Sequence, residues 1–115
     1  MNAKFFVPFE TAKLLKWKGY PQDKSDYGYF DNGDSHPLIM FPADNFDSAA
    51  PTYHEVVDWL ETEKDILVSV DTDEVNSYLS SAYYRYRSGT LCHSEWVSSR
   101  EGALNEVIIK ILERL

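Results

Sequence analysis

The sequence predicts an α+β fold: about three helices packed on one face of a mainly antiparallel sheet of about four to five strands, in the order α-β-β-α-β-β-β-α. Three observations carry this. The closing helix places Leu104, Val107, Ile108, Ile111, Leu112 and Leu115 within about 80° of arc, a stripe that needs an apolar surface to cover. The short apolar stretches are joined as hairpins, without regular βαβ alternation. The 115 residues suit one domain, 1–115, large enough to bury somewhat over ~60% of its unfolded surface.

The elements follow in order. Pro8 fits the first turn of a helix running to about Lys18, where its missing N–H has no partner anyway. Gly19 then fits the left-handed position after the helix, Tyr20 packs back on Leu15, and Pro21 stops continuation. Tyr27–Phe30 and Leu38–Phe41 flank Asp31-Asn32-Gly33-Asp34 and read as a β-hairpin with a primed turn at Asn-Gly. Pro37 has no N–H to give, so the second strand lies at an edge or starts after it. Residues 42–51, PADNFDSAAP, read as a loop.

Thr52 opens the second helix, with Glu55 three residues on as the other half of a capping box. Ile66–Val70 alternates as a strand, DTDEVNS is a polar connection, Tyr78–Arg87 is a long strand, and Leu91–Trp96 returns after Ser88-Gly89. Ser98 and Glu101 have the spacing of a second capping box and open the last helix. Six buried aliphatics at roughly 1.5–3 kcal/mol each make that helix a main wall of the core. From the second helix onward the order α-β-β-β-α is that of double-stranded-RNA-binding domains, a likeness of element order that carries no function.

Composition narrows the function classes. No apolar run approaches the roughly 20 residues that span a bilayer. MNAKFFVPFE has no apolar core and no small-residue cleavage site, so secretion is not expected. Cys92 is the single cysteine, which excludes an internal disulfide and fits the cytoplasm. The net charge is −8, unevenly placed: residues 1–24 carry +3, and the remaining 91 residues carry −11. An acidic body repels phosphates, which disfavours nucleic acid unless a local patch overrides it.

Several constellations bear on chemistry. His54-Glu55-Val56-Val57-Asp58 is one residue from the zinc motif H-E-x-x-H, and His54 and Asp58 stand i and i+4 on a helix. The apolar face of that helix is Tyr53, Val56, Val57 and Leu60, which turns His54, Glu55 and Asp58 to solvent. In Tyr83-Tyr84-Arg85-Tyr86-Arg87, Tyr84 and Tyr86 share one strand face, and Tyr83, Arg85 and Arg87 the other. Aromatics beside Arg can take a protein or stack on bases, which makes Tyr84, Arg85, Tyr86 and Arg87 the candidate binding residues.

Cys92 and His93 are neighbours on a strand, so they point to opposite faces and form no nucleophile–base pair. Asp71, Asp73, Glu74 and Asn76 resemble a calcium loop, but Val75 and Asn76 occupy the positions that need an oxygen ligand and a glycine. Lys4, Lys13, Lys16 and Lys18 around the first helix suit a phosphate, an acidic partner or the domain's own acids. No cofactor or metal is predicted.

FFVPFETAKLLKWKGY at 5–20, APTYHEVVDWLETE at 50–63 and SSREGALNEVIIKILERL at 98–115 together resemble a group of small uncharacterised bacterial proteins associated with phage and mobile elements. The shared pattern is A-K-x-L then K-G-aromatic, A-P-T-aromatic with V-x-D-W-L, and a closing helix with E-x-A-L. The group has no known activity, so the resemblance implies a context and no site residues.

The functional expectation is a non-enzymatic interaction or accessory protein that binds another protein or itself, with no membrane partner. Trp17, Trp59 and Trp96 are its anchors where exposed. The alternative is a nucleic-acid binder using the N-terminal lysines and Tyr83–Arg87. A metal-dependent hydrolase at His54–Asp58 stands third.

Overall fold

The computed structural model describes residues 3–23, 26–31, 33–35, 37–40, 47–73, 75, 79–86, 89, 91–93 and 96–115, with residues 3, 39, 40 and 91–93 described in their backbone only. The fold is α+β. Among the described residues the strands divide over two antiparallel three-stranded sheets, where the sequence reading placed them in one, and three α-helices accompany them. The chain separates into two compact units, residues 1–52 and 53–114. Among the described residues no helix is long and apolar enough to cross a membrane.

In the first unit, α1 spans Phe9–Trp17. Pro8 stands one residue earlier than expected, as the N-cap, with φ −63° and ψ 160°. Its extended backbone aims its carbonyl at the Ala12 N–H, 2.9 Å away. At the other end Gly19 takes φ 98°, and the Gly19 and Tyr20 N–H groups return to the carbonyls of Lys16 and Leu15 at 3.2 and 2.9 Å. This is the pair of bonds that satisfies the orphan carbonyls of a Schellman ending, and Leu15 and Tyr20 are both buried, as that motif requires.

β1 (Tyr27–Tyr29) and β2 (Leu38–Met40) form the predicted hairpin, with β2 starting after Pro37 and lying at the sheet edge. The predicted primed turn at Asn32-Gly33 falls partly outside the described residues. Beyond the strands the Phe30 N–H donates to the Pro37 carbonyl at 3.0 Å. Asp31 bends the chain at once, its carboxylate accepting the Gly33 N–H at 3.1 Å with Gly33 at φ 85°. Asn32, His36 and Phe41 fall outside the described residues.

β3 (Ser48–Ala49) occupies part of the predicted loop and pairs with the other side of β1. Serine and alanine have little strand preference of their own. The carbonyls of Tyr29 and Tyr27 recruit them, accepting the N–H groups of Asp47 and Ala50 at 2.9 Å each. Gln22 Oε1 accepts the Ala49 N–H at 2.7 Å. Phe6, Val7, Phe9, Ala12, Leu15, Tyr20 and Ala49 make this unit's core. The Phe6 and Tyr27 rings meet edge-on at 4.9 Å. The Tyr29 hydroxyl donates to the Val7 carbonyl at 2.6 Å, and burial pushes the Tyr29 phenol above its ordinary pKa of 10.0.

In the second unit, α2 (Tyr53–Lys64) begins directly after Thr52, as predicted, and buries Tyr53, Val56, Trp59 and Leu60. Asp65 at φ 56° turns the chain straight into β4. β4 (Ile66–Thr72), β5 (Ser80–Tyr86) and β6 (Leu91–His93) form a meander in the order β4-β5-β6. Within the predicted polar connection Asp73 Oδ1 accepts the Val75 N–H at 2.8 Å; Glu74, Asn76, Ser77 and Tyr78 lie outside the described residues. The returning strand stops short of Trp96, and Val97 forms a bridge with Ser80 through bonds of 2.7 and 2.8 Å.

α3 (Arg100–Arg114) buries Leu104, Val107, Ile108, Ile111 and Leu112 along the predicted stripe, with Ala103 beside them. It packs on β5 as α2 packs on β4, so both helices cover the face that carries Ile66, Ala82 and Tyr84. Its cap lies one residue later than the predicted Ser98–Glu101 box. Ser99 Oγ accepts the Gly102 N–H at 2.9 Å, and a Cβ built on Gly102 would stand 2.8 Å from that oxygen.

Two outcomes follow. Ser99→Ala is expected to cost about 1 kcal/mol. Gly102→Ala is expected to be near neutral in the natural chain, because a helix-propensity gain of about 1 kcal/mol is offset by the displaced cap. In the Ser99→Ala chain the same change should stabilise by about that amount. Urea unfolding of the four proteins measures this; simple additivity would refute the cap.

Tyr29→Phe should cost about 1–2 kcal/mol by orphaning a carbonyl. Because the folded state holds the Tyr29 proton more tightly than the unfolded chain, its contribution is complete below pH 10.0 and is lost as pH rises through the folded value. The natural chain should therefore lose stability above that pH more steeply than Tyr29→Phe.

Candidate functional site

A strand covered by helices on one face must present alternate residues to solvent on the other. In β5 the covered set includes Tyr84 and Tyr86, whose rings meet edge-on at 5.8 Å. Tyr84 is only 1% exposed. It is a core residue, and its predicted place on a binding surface is corrected accordingly: the helices that need its ring also seal it from any partner. Tyr86, at the strand end, is half-buried and reaches the surface; Arg87 lies outside the described residues.

Tyr83 and Arg85 point the other way. The β4–β5 register sets Leu67 opposite Arg85 and Ser69 opposite Tyr83. Leu67 is 38% exposed, a large apolar side chain beside an exposed guanidinium. A hollow of about 650 Å³ opens here, lined by Glu61, Thr62, Asp65, Leu67, Arg85 and Tyr86. A second, of about 570 Å³, runs over Val68, Ser69 and Tyr83 and shares Glu61, Leu67 and Arg85 with the first. Thr62 already donates its hydroxyl to the Asp58 carbonyl at 2.9 Å. Among the described residues the Arg85 guanidinium has neither a hydrogen bond nor an ion pair.

Leu67, Glu61 and Asp65 were not singled out from the sequence. Their signal is the pairing register: Arg85 meets Leu67 only once the turn between the strands is counted, and that turn has no pattern of fixed length.

The near-zinc run behaves as its helical phase requires. His54 Nε2 stands 3.4 Å from Asp58 Oδ2, with the two side chains 85% and 60% exposed. Among the described residues no three His, Cys, Asp or Glu side chains gather to hold a metal ion. Trp59 is buried, with Lys64 Nζ 5.4 Å from its ring centre, while Trp96 is half exposed.

In the first unit, Trp17 is 82% exposed. It borders a hollow of about 460 Å³ with Phe9, Lys13, Lys16, Asp31 and Asp47. Lys16 Nζ donates to the Asp47 carbonyl, and Lys13 Nζ sits 5.4 Å from the Phe9 ring centre. The lysines are thus engaged with the unit's own groups, and two carboxylates share the hollow. The N-terminal lysines and the Tyr83–Arg87 strand belong to separate units.

No family model, curated protein or solved structure matches the chain.

Tyr84→Ala is expected to cost about 3–5 kcal/mol by leaving a core cavity. Arg85→Ala should stay within about 0.5 kcal/mol. Thermal unfolding distinguishes them, and a similar cost for both would remove the in–out assignment of β5.

Proposed function

We propose that the protein is a non-enzymatic interaction module, an accessory protein of a bacterium or its mobile elements. It acts in the cytoplasm and binds another protein through the solvent face of β4 and β5. The observation that supports this reading is Arg85: exposed, without an ion pair among the described residues, and set in an open groove beside exposed Leu67 and half-exposed Tyr83. Arg and Tyr next to an apolar side chain are the types that carry binding energy at protein interfaces, because they combine contact area with directional donors. Glu61 and Asp65 along the same groove suit a partner that carries both charge signs. The bacterial or mobile-element context is what the resemblance of residues 5–20, 50–63 and 98–115 implies.

Nucleic acid fits less well. The residues after position 24 carry a net charge of −11, and the basic helix shares its hollow with Asp31 and Asp47.

The test is affinity capture from the native cell with the natural chain, Arg85→Glu and Tyr83→Ala, each checked for an unchanged circular dichroism spectrum. A protein recovered with the natural chain should fall by about tenfold or more with Arg85→Glu, as for loss of an interfacial hot spot. Recovery of the same proteins in the same amounts by all three chains would sink the reading. Salt-sensitive binding to single-stranded nucleic acid that Arg85→Glu abolishes would replace it with the nucleic-acid alternative.

A further inference from the structure

A β-strand at a sheet edge holds out a row of peptide N–H and C=O groups, and proteins ordinarily blunt such rows with Lys, Pro, a bulge or a covering segment. β4 is the edge of the β4-β5-β6 sheet and is seven residues long, Ile-Leu-Val-Ser-Val-Asp-Thr. It contains neither Lys nor Pro, and its register with β5 runs without a bulge from Ile66↔Tyr86 to Thr72↔Ser80.

The ladder phase shows which groups face outward. Asp73 donates its N–H to Leu79 at 3.0 Å, so the pair Asp73↔Leu79 is a hydrogen-bonded one. Antiparallel pairs alternate, so Asp71, Ser69 and Leu67 also bond to β5, while the peptide groups of Thr72, Val70, Val68 and Ile66 point away from it. The two reciprocal hydrogen bonds between Ser80 and Val97 on the far side of β5 have the phase this demands. Among the described residues no hydrogen bond reaches the outward groups of Ile66, Val68, Val70 or Thr72. The hollow of about 570 Å³ over Leu67, Val68 and Ser69 lies along this strand.

We propose that this edge pairs with β4 of a second copy of the chain, antiparallel and centred on Ser69, so that two three-stranded sheets become one continuous sheet. The inference rests on the reading of this region as an interaction surface and names the partner of its edge.

Three features favour a second copy. First, the overlap centred on Ser69 uses all the outward groups at once, pairing Val68 with Val70 of the copy and Ile66 with Thr72. Second, Asp71, the strand's single charge, faces Leu67 of the copy and never its own equivalent. Third, charge complements charge: Arg85, Leu67 and Asp71 of the second copy fall in one row across the solvent face. The carboxylate is then two strand spacings, about 9–10 Å, from the Arg85 backbone, within reach of an extended guanidinium. The two-fold repeats this contact on the other side.

Sedimentation equilibrium on the full chain, from micromolar to millimolar, reads the mass. A species of twice 13.3 kDa is expected, and Ser69→Lys, which sets two ammonium groups face to face at the two-fold, should weaken it by about tenfold or more. Ser69 is exposed, so its fold should be unchanged by circular dichroism.

The register has its own readout. In a Cys92→Ser chain, Ser69→Cys should oxidise to a disulfide-linked dimer, because directly opposed residues outside the hydrogen-bonded pairs have Cα atoms about 4.5 Å apart. Asp71→Cys, opposite Leu67, should cross-link far less. A monomer at every concentration overturns the proposal, as does a dimer in which Asp71→Cys cross-links as well as Ser69→Cys.

The two readings separate cleanly. A strict monomer that still captures a protein through Arg85 overturns the edge pairing alone. A Ser69-linked dimer that captures nothing through Arg85 supports the pairing and removes the foreign partner.

Discussion

The second unit depends on one contact, the aliphatic stripe of α3 laid on β5. Leu104, Val107, Ile108, Ile111 and Leu112 are buried there above Ala82 and Tyr84. Three of these five are β-branched and lose a few tenths of a kcal/mol each as helix formers relative to leucine. Burial returns roughly 1.5–3 kcal/mol per side chain, so packing decides and local preference yields. Once that face of β5 is committed to α3, the alternation of the strand sends Arg85 and Tyr83 outward. The β4 register then sets Leu67 beside Arg85. The candidate surface is the geometric remainder of the core.

Where structure is set by neighbours in sequence, the residues announce it. The Gly19 ending, the start of α2 after Thr52 and the stripe of α3 each need only side chains within a turn or two. The displaced details are of another kind. Ser98 and Ser99 are both competent caps; here the Ser99 hydroxyl takes the Gly102 N–H, and a Cβ at position 102 would stand 2.8 Å from that oxygen. β3 has no pattern of its own, since Ser48 and Ala49 are strand only because β1 offers them carbonyls. The division of the strands into two sheets is a long-range pairing choice, and period-two alternation is the same in either arrangement.

The candidate site divides along the same line. That Arg85 faces away from Tyr84 is written in their adjacency on a strand. That Tyr84 is the buried member requires knowing which face α3 takes, and the aromatic character of both faces of YYRYR conceals it. Leu67, Glu61 and Asp65 come from a neighbouring strand, a helix and the turn joining them. They meet Arg85 only through the hairpin register.

The proposed face and edge contacts would recognise different chemistry, and one small sheet would serve both. A partner on the face meets side chains, so its affinity turns on Arg85, Tyr83 and Leu67 and on the charges beside them. A strand at the edge meets peptide groups, so its affinity turns on ladder length and register, with side chains acting mainly to forbid wrong pairings. Pairing through the edge places two solvent faces side by side about a two-fold axis, with Asp71 of each copy beside Arg85 of the other. A protein gripped by both copies would then bind the second as an intramolecular event, and its residence would exceed what one Arg85-centred groove supplies. In that arrangement the dimer is the means by which a shallow surface on a small domain holds its partner.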